Sequence, residues 1–208
     1  MKERILSHAG QAFFRYGVKS ISMDDIAGQL GISKKTIYQY FANKAELVNA
    51  VCEDFFEKDK VKSLDLIAQS ENAIHELVLF LRQIYISLQS ISPNAILEIR
   101  KYYPNAWHCF EDYTTGFVVD SVRDNLQRGI QEGYYRDNLQ VEIVTRLRVA
   151  QVELAFRQDI FPISEFDPVQ VHTEIMHMYF YGISTAKGKA QLEAYLRQES
   201  GVNQLTTN

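Results

Sequence analysis

Apolar residues recur along this chain at three- and four-residue steps, the spacing of one face of a helix. Nowhere do they alternate over a run bounded by turns, as a half-buried strand would require. Ile5, Leu6, Ala9, Ala12, Phe13 and Tyr16 mark a first helix over about 2–16, with Gly17 as its stop. Ser22, with Asp25 three positions on, predicts a capped start for a short second helix. Its inner face is Ile26, Ala27 and Leu30, and Gly31 ends it. Ser33 caps a third helix through about Phe41, and Asn43 a fourth that opens at Lys44 and runs past Phe55 and Phe56. Longer helices follow over about 71–90, 93–101, 104–132 with a bend at Gly116, 139–157, 167–186 and 188–199. Pro93, Pro104 and Pro168 stand near three of these starts, where a missing amide hydrogen costs little, and Phe161-Pro162-Ile163-Ser164 reads as a loop. The expectation is an all-α protein with a three-helix head over 1–47 and a larger helical body over 48–208.

The second and third helices satisfy the steric rules of a helix-turn-helix. Two helices cross steeply over a three- or four-residue turn only where a small residue sits at closest approach, here Ala27. The turn needs a residue tolerant of positive φ, here Gly31. Ile26, Leu30, Ile32 and Ile37 fill the wedge, with Phe13, Phe14 and Phe41 closing it. The outer face of the third helix then presents Lys34, Lys35, Thr36, Tyr38 and Gln39, all able to bond base edges or phosphates. Ser22 and Ser33 leave amides at helix starts that suit phosphate oxygens, and Lys44 reaches the same backbone. The competing reading is a solvated polar face. Two lysines in a helix's first turn oppose its dipole, which favours the DNA-binding one.

Charge sharpens the picture. The chain carries a net −4, unpromising for a nucleic-acid binder. Residues 1–49, however, hold seven basic against four acidic side chains, net +3, and the remainder is −7. A basic head on an acidic body points to a polyanion partner for the head, although an imbalance of this size also arises by chance.

The run from Gly31 to Leu47, including Ser33-Lys34-Lys35-Thr36-Ile37-Tyr38-Gln39-Tyr40-Phe41 and Asn43-Lys44-Ala45-Glu46, resembles the recognition segment of the TetR family of bacterial regulators. Phe13-Phe14-Arg15-Tyr16-Gly17, Ser22 and Ile26-Ala27 agree in order and spacing, so the resemblance covers residues 1–50. It implies a homodimer whose heads enter successive major grooves of a near-palindromic operator. It also implies base reading at Lys34, Lys35 and Tyr38, and phosphate contacts at Ser22, Thr36, Tyr40 and Lys44. Lys35 departs from the small residue or proline often found there, and it either reads guanine or adds charge.

For the body the resemblance implies a helical effector domain in which two late helices pair with their symmetry mates. Ile143, Leu147, Ala150 and Leu154 form one apolar stripe, and Val171, Ile175, Met178 and Gly182 another. Ile143, Leu147, Leu154, Ile175, Met178 and Gly182 are therefore the candidate dimer residues, the alternative being that both stripes face their own core. An aromatic segment suggests a small-molecule pocket lined by Arg100, Tyr103, Trp107, His108, Phe110, Tyr113 and Phe117. Rings at helical spacing are also ordinary core.

Catalytic and cofactor readings find no footing. Glu174-x-x-His177 lacks the second copy that a carboxylate-bridged metal site needs, His108 and Cys109 are sequence neighbours, and there is no Gly-rich phosphate loop. No metal and no cofactor are expected. There is no apolar leader, no membrane-length apolar run and no paired cysteine spacing, which fits the cytoplasm. The functional expectation is a transcriptional regulator, a repressor released from its operator by an unidentified small molecule. The rival is a DNA-bound adaptor of the same fold with a protein partner and no inducer.

Overall fold

A computed structural model describes residues 1–154 and 156–205, with side chains up to Arg197. Eleven α-helices account for most of the described chain: α1 (Lys2–Tyr16), α2 (Met23–Leu30), α3 (Lys34–Tyr38), α4 (Lys44–Gln69), α5 (Ala73–Ser90), α6 (Pro93–Tyr102), α7 (Pro104–Tyr113), α8 (Val119–Gln131), α9 (Val141–Leu154), α10 (Pro168–Ile183) and α11 (Ala186–Leu205). The all-α expectation holds. An isolated bridge between Tyr135 and Ser184 is the β-type pairing recorded among the described residues. Two compact units emerge, one of Met1–Val61 with Ser87–Thr115 and one of Lys62–Ile86 with the chain from Gly116.

The first unit surrounds one apolar core. Ile5, Ala9, Ala12 and Phe13 of α1 meet Ile26, Ala27 and Leu30 of α2, then Ile37, Phe41 and the Leu47, Val48, Val51 and Cys52 face of α4. Ile99 of α6 and Ala106 of α7 complete it. Gly17 stops α1 at φ 88°, its amide donating to the Phe13 carbonyl at 3.0 Å. α6 is tied to that corner twice: the Ser92 amide donates to the Phe14 carbonyl at 2.7 Å, and Glu98 Oε2 accepts from the Lys19 amide at 2.8 Å.

The second unit has its own core of Ala73, Ile74, Leu77, Val78, Leu126, Tyr135, Met176, Tyr179, Phe180, Ile183 and Leu192. Tyr135 threads into it, donating to Asn125 Oδ1 at 2.9 Å while Asn125 donates to the Ala73 carbonyl at 3.0 Å. Gly129 is required beside it, since a Cβ there would lie 2.0 Å from the Tyr135 ring. Arg128 ties α8 to the start of α5 through Glu132 at 2.9 Å, Ser70 Oγ at 2.7 Å and Glu76 at 3.3 Å. Burial pushes the Glu76 carboxyl up despite Asn125 and Arg128.

Two helices differ from expectation. α3 ends at Tyr38 rather than Phe41, and the chain continues as a turn in which the Tyr40 and Phe41 amides both donate to the Ile37 carbonyl. The expected single helix over 104–132 is broken into α7 and α8 by a π-helical turn, Thr114–Val118. Thr114 and Thr115 donate back to the carbonyls of Phe110 and Glu111 at 2.7–3.0 Å, and Gly116 follows, so the widening falls on the residue where a bend was expected. The helix expected over 139–157 is α9, with residue 155 outside the described residues.

α9 and α10 carry unusual interior chemistry. Thr145 and Arg148 of α9 and His172 of α10 are buried. Burial first, then the charge of Arg148, pushes the His172 pKa down from 6.5 to about 4. Between those values the unfolded chain holds a proton at His172 that the folded chain does not, so stability is lost as pH falls through the window. The loss should reach about 3 kcal/mol at its full extent. Urea midpoints at pH 7 and pH 4.5 measure it, and His172→Gln should flatten that part of the curve relative to the parent.

Candidate DNA-binding site

α3 has only five residues, so its position rests on its ends and its single buried face. Ile37 is fully buried, and Phe41 follows it into the core. At the near end the α2 cap is built as the sequence predicts. Ser22 Oγ accepts from the Asp25 amide at 3.1 Å, and Asp25 Oδ2 accepts from the Ser22 amide at 2.7 Å and from its hydroxyl at 2.6 Å. That bonding holds the Asp25 carboxyl below its usual range. Gly31 adopts the left-handed region at φ 65°, which lets its amide reach the Gly28 carbonyl and the Ile32 amide the Ala27 carbonyl. Arg4 of α1 donates to the Leu30 carbonyl at 3.1 Å, and His8 meets Gln29 at 2.6 Å, fixing α2 on α1.

Ser33 then caps α3, accepting from the Thr36 amide at 3.1 Å while its hydroxyl bonds Thr36 Oγ1 at 2.8 Å. Asn43 opens α4 in the same manner: the Glu46 amide donates to Asn43 Oδ1 at 2.9 Å, and Glu46 Oε2 accepts from the Ala42 amide at 2.6 Å. The predicted DNA-facing residues are solvent-accessible to different degrees. Ser22, Ser33, Lys34, Lys35, Tyr38, Gln39 and Tyr40 are exposed and Thr36 is half-buried, with Tyr38 at 43% and Tyr40 at 39% exposure. Lys44 is half-buried at the α4 N-terminus, its ammonium 5.9 Å from the Phe13 ring. Burial lowers its pKa, and Glu98 and Asp25 oppose the shift.

Sequence reasoning missed Asp24. Its carboxylate holds Lys34 Nζ at 2.8 Å across the turn, raising the lysine's pKa through that hydrogen bond. The pair joins α2 to α3 ten positions apart, a separation with no local signature. Any anion that reached Lys34 would compete with that carboxylate.

The seven candidate pocket residues are dispersed among packing contacts. Tyr103 and Trp107 pack on the first unit's core, Arg100 lies 5.3 Å over the Trp107 ring, and Phe110 sits 4.7 Å from it. Tyr113 stacks on Phe56 at 5.1 Å and donates to Asp59 at 2.6 Å, while the exposed His108 pairs with Glu111 at 2.6 Å. Phe117 lies in the π-turn, in the other unit. A cleft of about 410 Å³ in the first unit is lined instead by α1, α4 and the α5–α6 junction, including Gly10, Phe14, Val51, Phe55 and Ile91.

Of the candidate dimer residues, Ile143 (66% exposed), Leu147 (57%) and Met178 (75%) face outward together with Gly182. Ile175 turns inward beside Val171, with Leu154 packed partly buried against them. No helix among the described residues is long and apolar enough to cross a membrane.

Residues 5–51 match the bacterial regulatory proteins of the tetR family. Over 108 residues the chain is 31% identical to the HTH-type transcriptional regulator YvaF of Bacillus subtilis (strain 168), covering 51% of this chain and 56% of that protein. Over 149 residues it is 23% identical to the HTH-type transcriptional repressor KstR2 of Mycobacterium tuberculosis, covering 68% and 72%. Among solved structures, a transcriptional regulator from Saccharomonospora viridis in complex with choline superposes with a TM-score of 0.70 at 16% identity, covering 88% of this chain and 97% of that one. By that match residues 5–51 are of the tetR type, and the curated proteins the chain is similar to are HTH-type transcriptional regulators.

The Asp24–Lys34 pair has a measurable consequence. Asp24→Asn should raise affinity for duplex DNA about threefold and steepen its salt dependence. In a Lys34→Ala background the same change should give distinctly less, and a double-mutant cycle by fluorescence anisotropy reads the coupling.

Proposed function

We propose that this protein is a homodimeric repressor that holds a near-palindromic operator through two copies of the α2–α3 head and leaves it when a small molecule binds. The observation that carries the reading is the run of exposed side chains Lys34, Lys35 and Tyr38 on a helix capped at its start, continued by Gln39 and Tyr40 just past its end. Such a run matches a major groove, with Lys34, Lys35 and Tyr38 against base edges and Ser22, Ser33, Thr36, Tyr40 and Lys44 along phosphates. The Ser22 and Ser33 hydroxyls are committed to their caps, so these two residues serve phosphates through the amides they hold in place.

Pairing is supported by the outward apolar residues of α9 and α10. Ile143, Leu147 and Met178 are large, exposed and at helical spacing on two helices that pack together, the makings of a two-fold four-helix bundle. Two heads held about 34 Å apart would meet successive turns of one duplex face. The repressor role is supported by the resemblance to KstR2, and a small-molecule effector by the choline-bound relative. A ligand releases DNA only so far as it prefers a dimer with another head spacing.

Selection from a random duplex pool tests the reading. The protein should recover a palindrome, and Lys34→Ala should degrade preference at specific positions. Lys44→Ala should instead weaken all sequences alike and lower the salt slope by about one. Recovery of no shared sequence would remove the operator-binding reading. For the interface, Met178→Arg should shift the protein from dimer to monomer in sedimentation velocity without loss of helix content. A dimer unaffected by that change places the interface elsewhere.

A further inference from the structure

α9 turns Val141 and Val144 onto the second unit's core, but it also buries polar side chains and exposes apolar ones. Its apolar Ile143 and Leu147 are exposed, while Thr145, Arg148 and the half-buried Gln151, at successive three-residue steps, form its inner stripe. Arg148 is 5% exposed and Thr145 fully buried. Arg148 Nη1, Thr145 Oγ1 and Gln151 Oε1 are all shut off from solvent without a hydrogen-bond partner. Among the described residues no carboxylate pairs with Arg148; the Tyr179 ring lies beneath its guanidinium at 5.5 Å. The nearby His172 is neutral at physiological pH and brings no countercharge. The other buried side chains of α10, among them Val171, Ile175 and Met176, are apolar.

Arg148 Nη1 and Thr145 Oγ1, one helical turn apart, are two buried donors left without an acceptor. A guanidinium without a counter-ion calls for a planar oxyanion, which it binds through two parallel N–H bonds. Its single charge, beside a neutral histidine, balances one negative charge and not the two of a phosphate monoester. We propose that Arg148, with the Thr145 hydroxyl, anchors the carboxylate of an effector whose remaining body is apolar, a monocarboxylic acid. This rests on the ligand-responsive reading above and names the chemical class of the effector. The stranded atoms are closed to water, so the acid enters by parting α9 from α10. Those same helices carry the outward face assigned to dimer pairing, so occupancy and pairing geometry act on one helix pair.

The test uses the full-length protein with butyrate, octanoate and benzoate as probes, alongside octanamide and benzamide. At least one acid should raise the melting temperature at millimolar concentration, with its amide at least about tenfold weaker. Arg148→Met, an apolar replacement of similar reach, should erase the preference for acid over amide. Arg148→Lys, which keeps the charge and loses the fork, should retain part of it and guards against misfolding of the first variant. Amides binding as tightly as acids, acid binding unchanged in Arg148→Met, or no binding by any of the three acids would each overturn the proposal. DNA release is measured separately on the selected operator. Acid binding through Arg148 without release sustains the anion site and defeats the inducer reading. Release by an amide that ignores Arg148 does the reverse.

Discussion

A five-residue helix has no stability of its own in water, where about a dozen residues are needed before a helix is even marginal. α3 (Lys34–Tyr38) therefore exists because its surroundings hold it, and the proposed reading of DNA depends on that support. Ile37 and Phe41 dock it on the head's core, Ser33 closes its first turn, and Gly31 sets the angle at which it leaves α2. Each support is local in sequence and tertiary in effect. Loss of Ile37 or Phe41 would remove the helix rather than one contact of it.

That dependence explains what could be read from the sequence. The Ser22–Asp25 box, the Gly31 turn, Asn43 as the opening of α4 and the apolar wedge all follow from rules acting within four residues, and all stand in the structure. The all-helical fold follows from periodicity. The Asp24–Lys34 pair escaped because nothing but the tertiary crossing of two helices brings those side chains together. Period alone places a stripe without saying which way it faces, and so Ile175 was expected outward and packs inward. The aromatic segment from Tyr103 to Tyr113 suggests either a pocket lining or ordinary core, and Trp107, Phe110 and Tyr113 contact Phe56, Arg100 and one another. Counting rings in a sequence does not distinguish rings that line a space from rings that fill one. At Gly116 a bend was expected and a π-helical segment stands there, beside two threonines bonding backwards to carbonyls that the sequence could not place.

The head's electrostatics are tuned rather than simply basic. Lys34 is held by Asp24, and Lys44 is half-buried over Phe13 with Asp25 and Glu98 acting on it. Such neighbours lower the affinity for any polyanion, since each phosphate must compete with a carboxylate already in place. They cost less where a base edge replaces the carboxylate with well-aligned bonds. Discrimination between sequences is a difference of two affinities, and weakening the non-specific one widens it as surely as strengthening the specific one.

α9 sets the opposite problem from α3, a helix whose interior is less settled than its surface. Burying a guanidinium costs several kcal/mol even after relaxation, whereas a ring face returns about 2 kcal/mol at best. Thr145 and Gln151 add unmade hydrogen bonds to the same account. An apolar residue at position 148 would satisfy packing alone, since Ile175, Met176 and Tyr179 lie on the facing helix. Packing therefore does not explain the arginine. The proposed anion would, since it converts an unpaired buried cation into a paired one and accepts from the Thr145 hydroxyl at the same time. The stability surrendered in the empty state then reappears as binding energy, and a helix pair held below its stability optimum is one that a small ligand has the energy to rearrange.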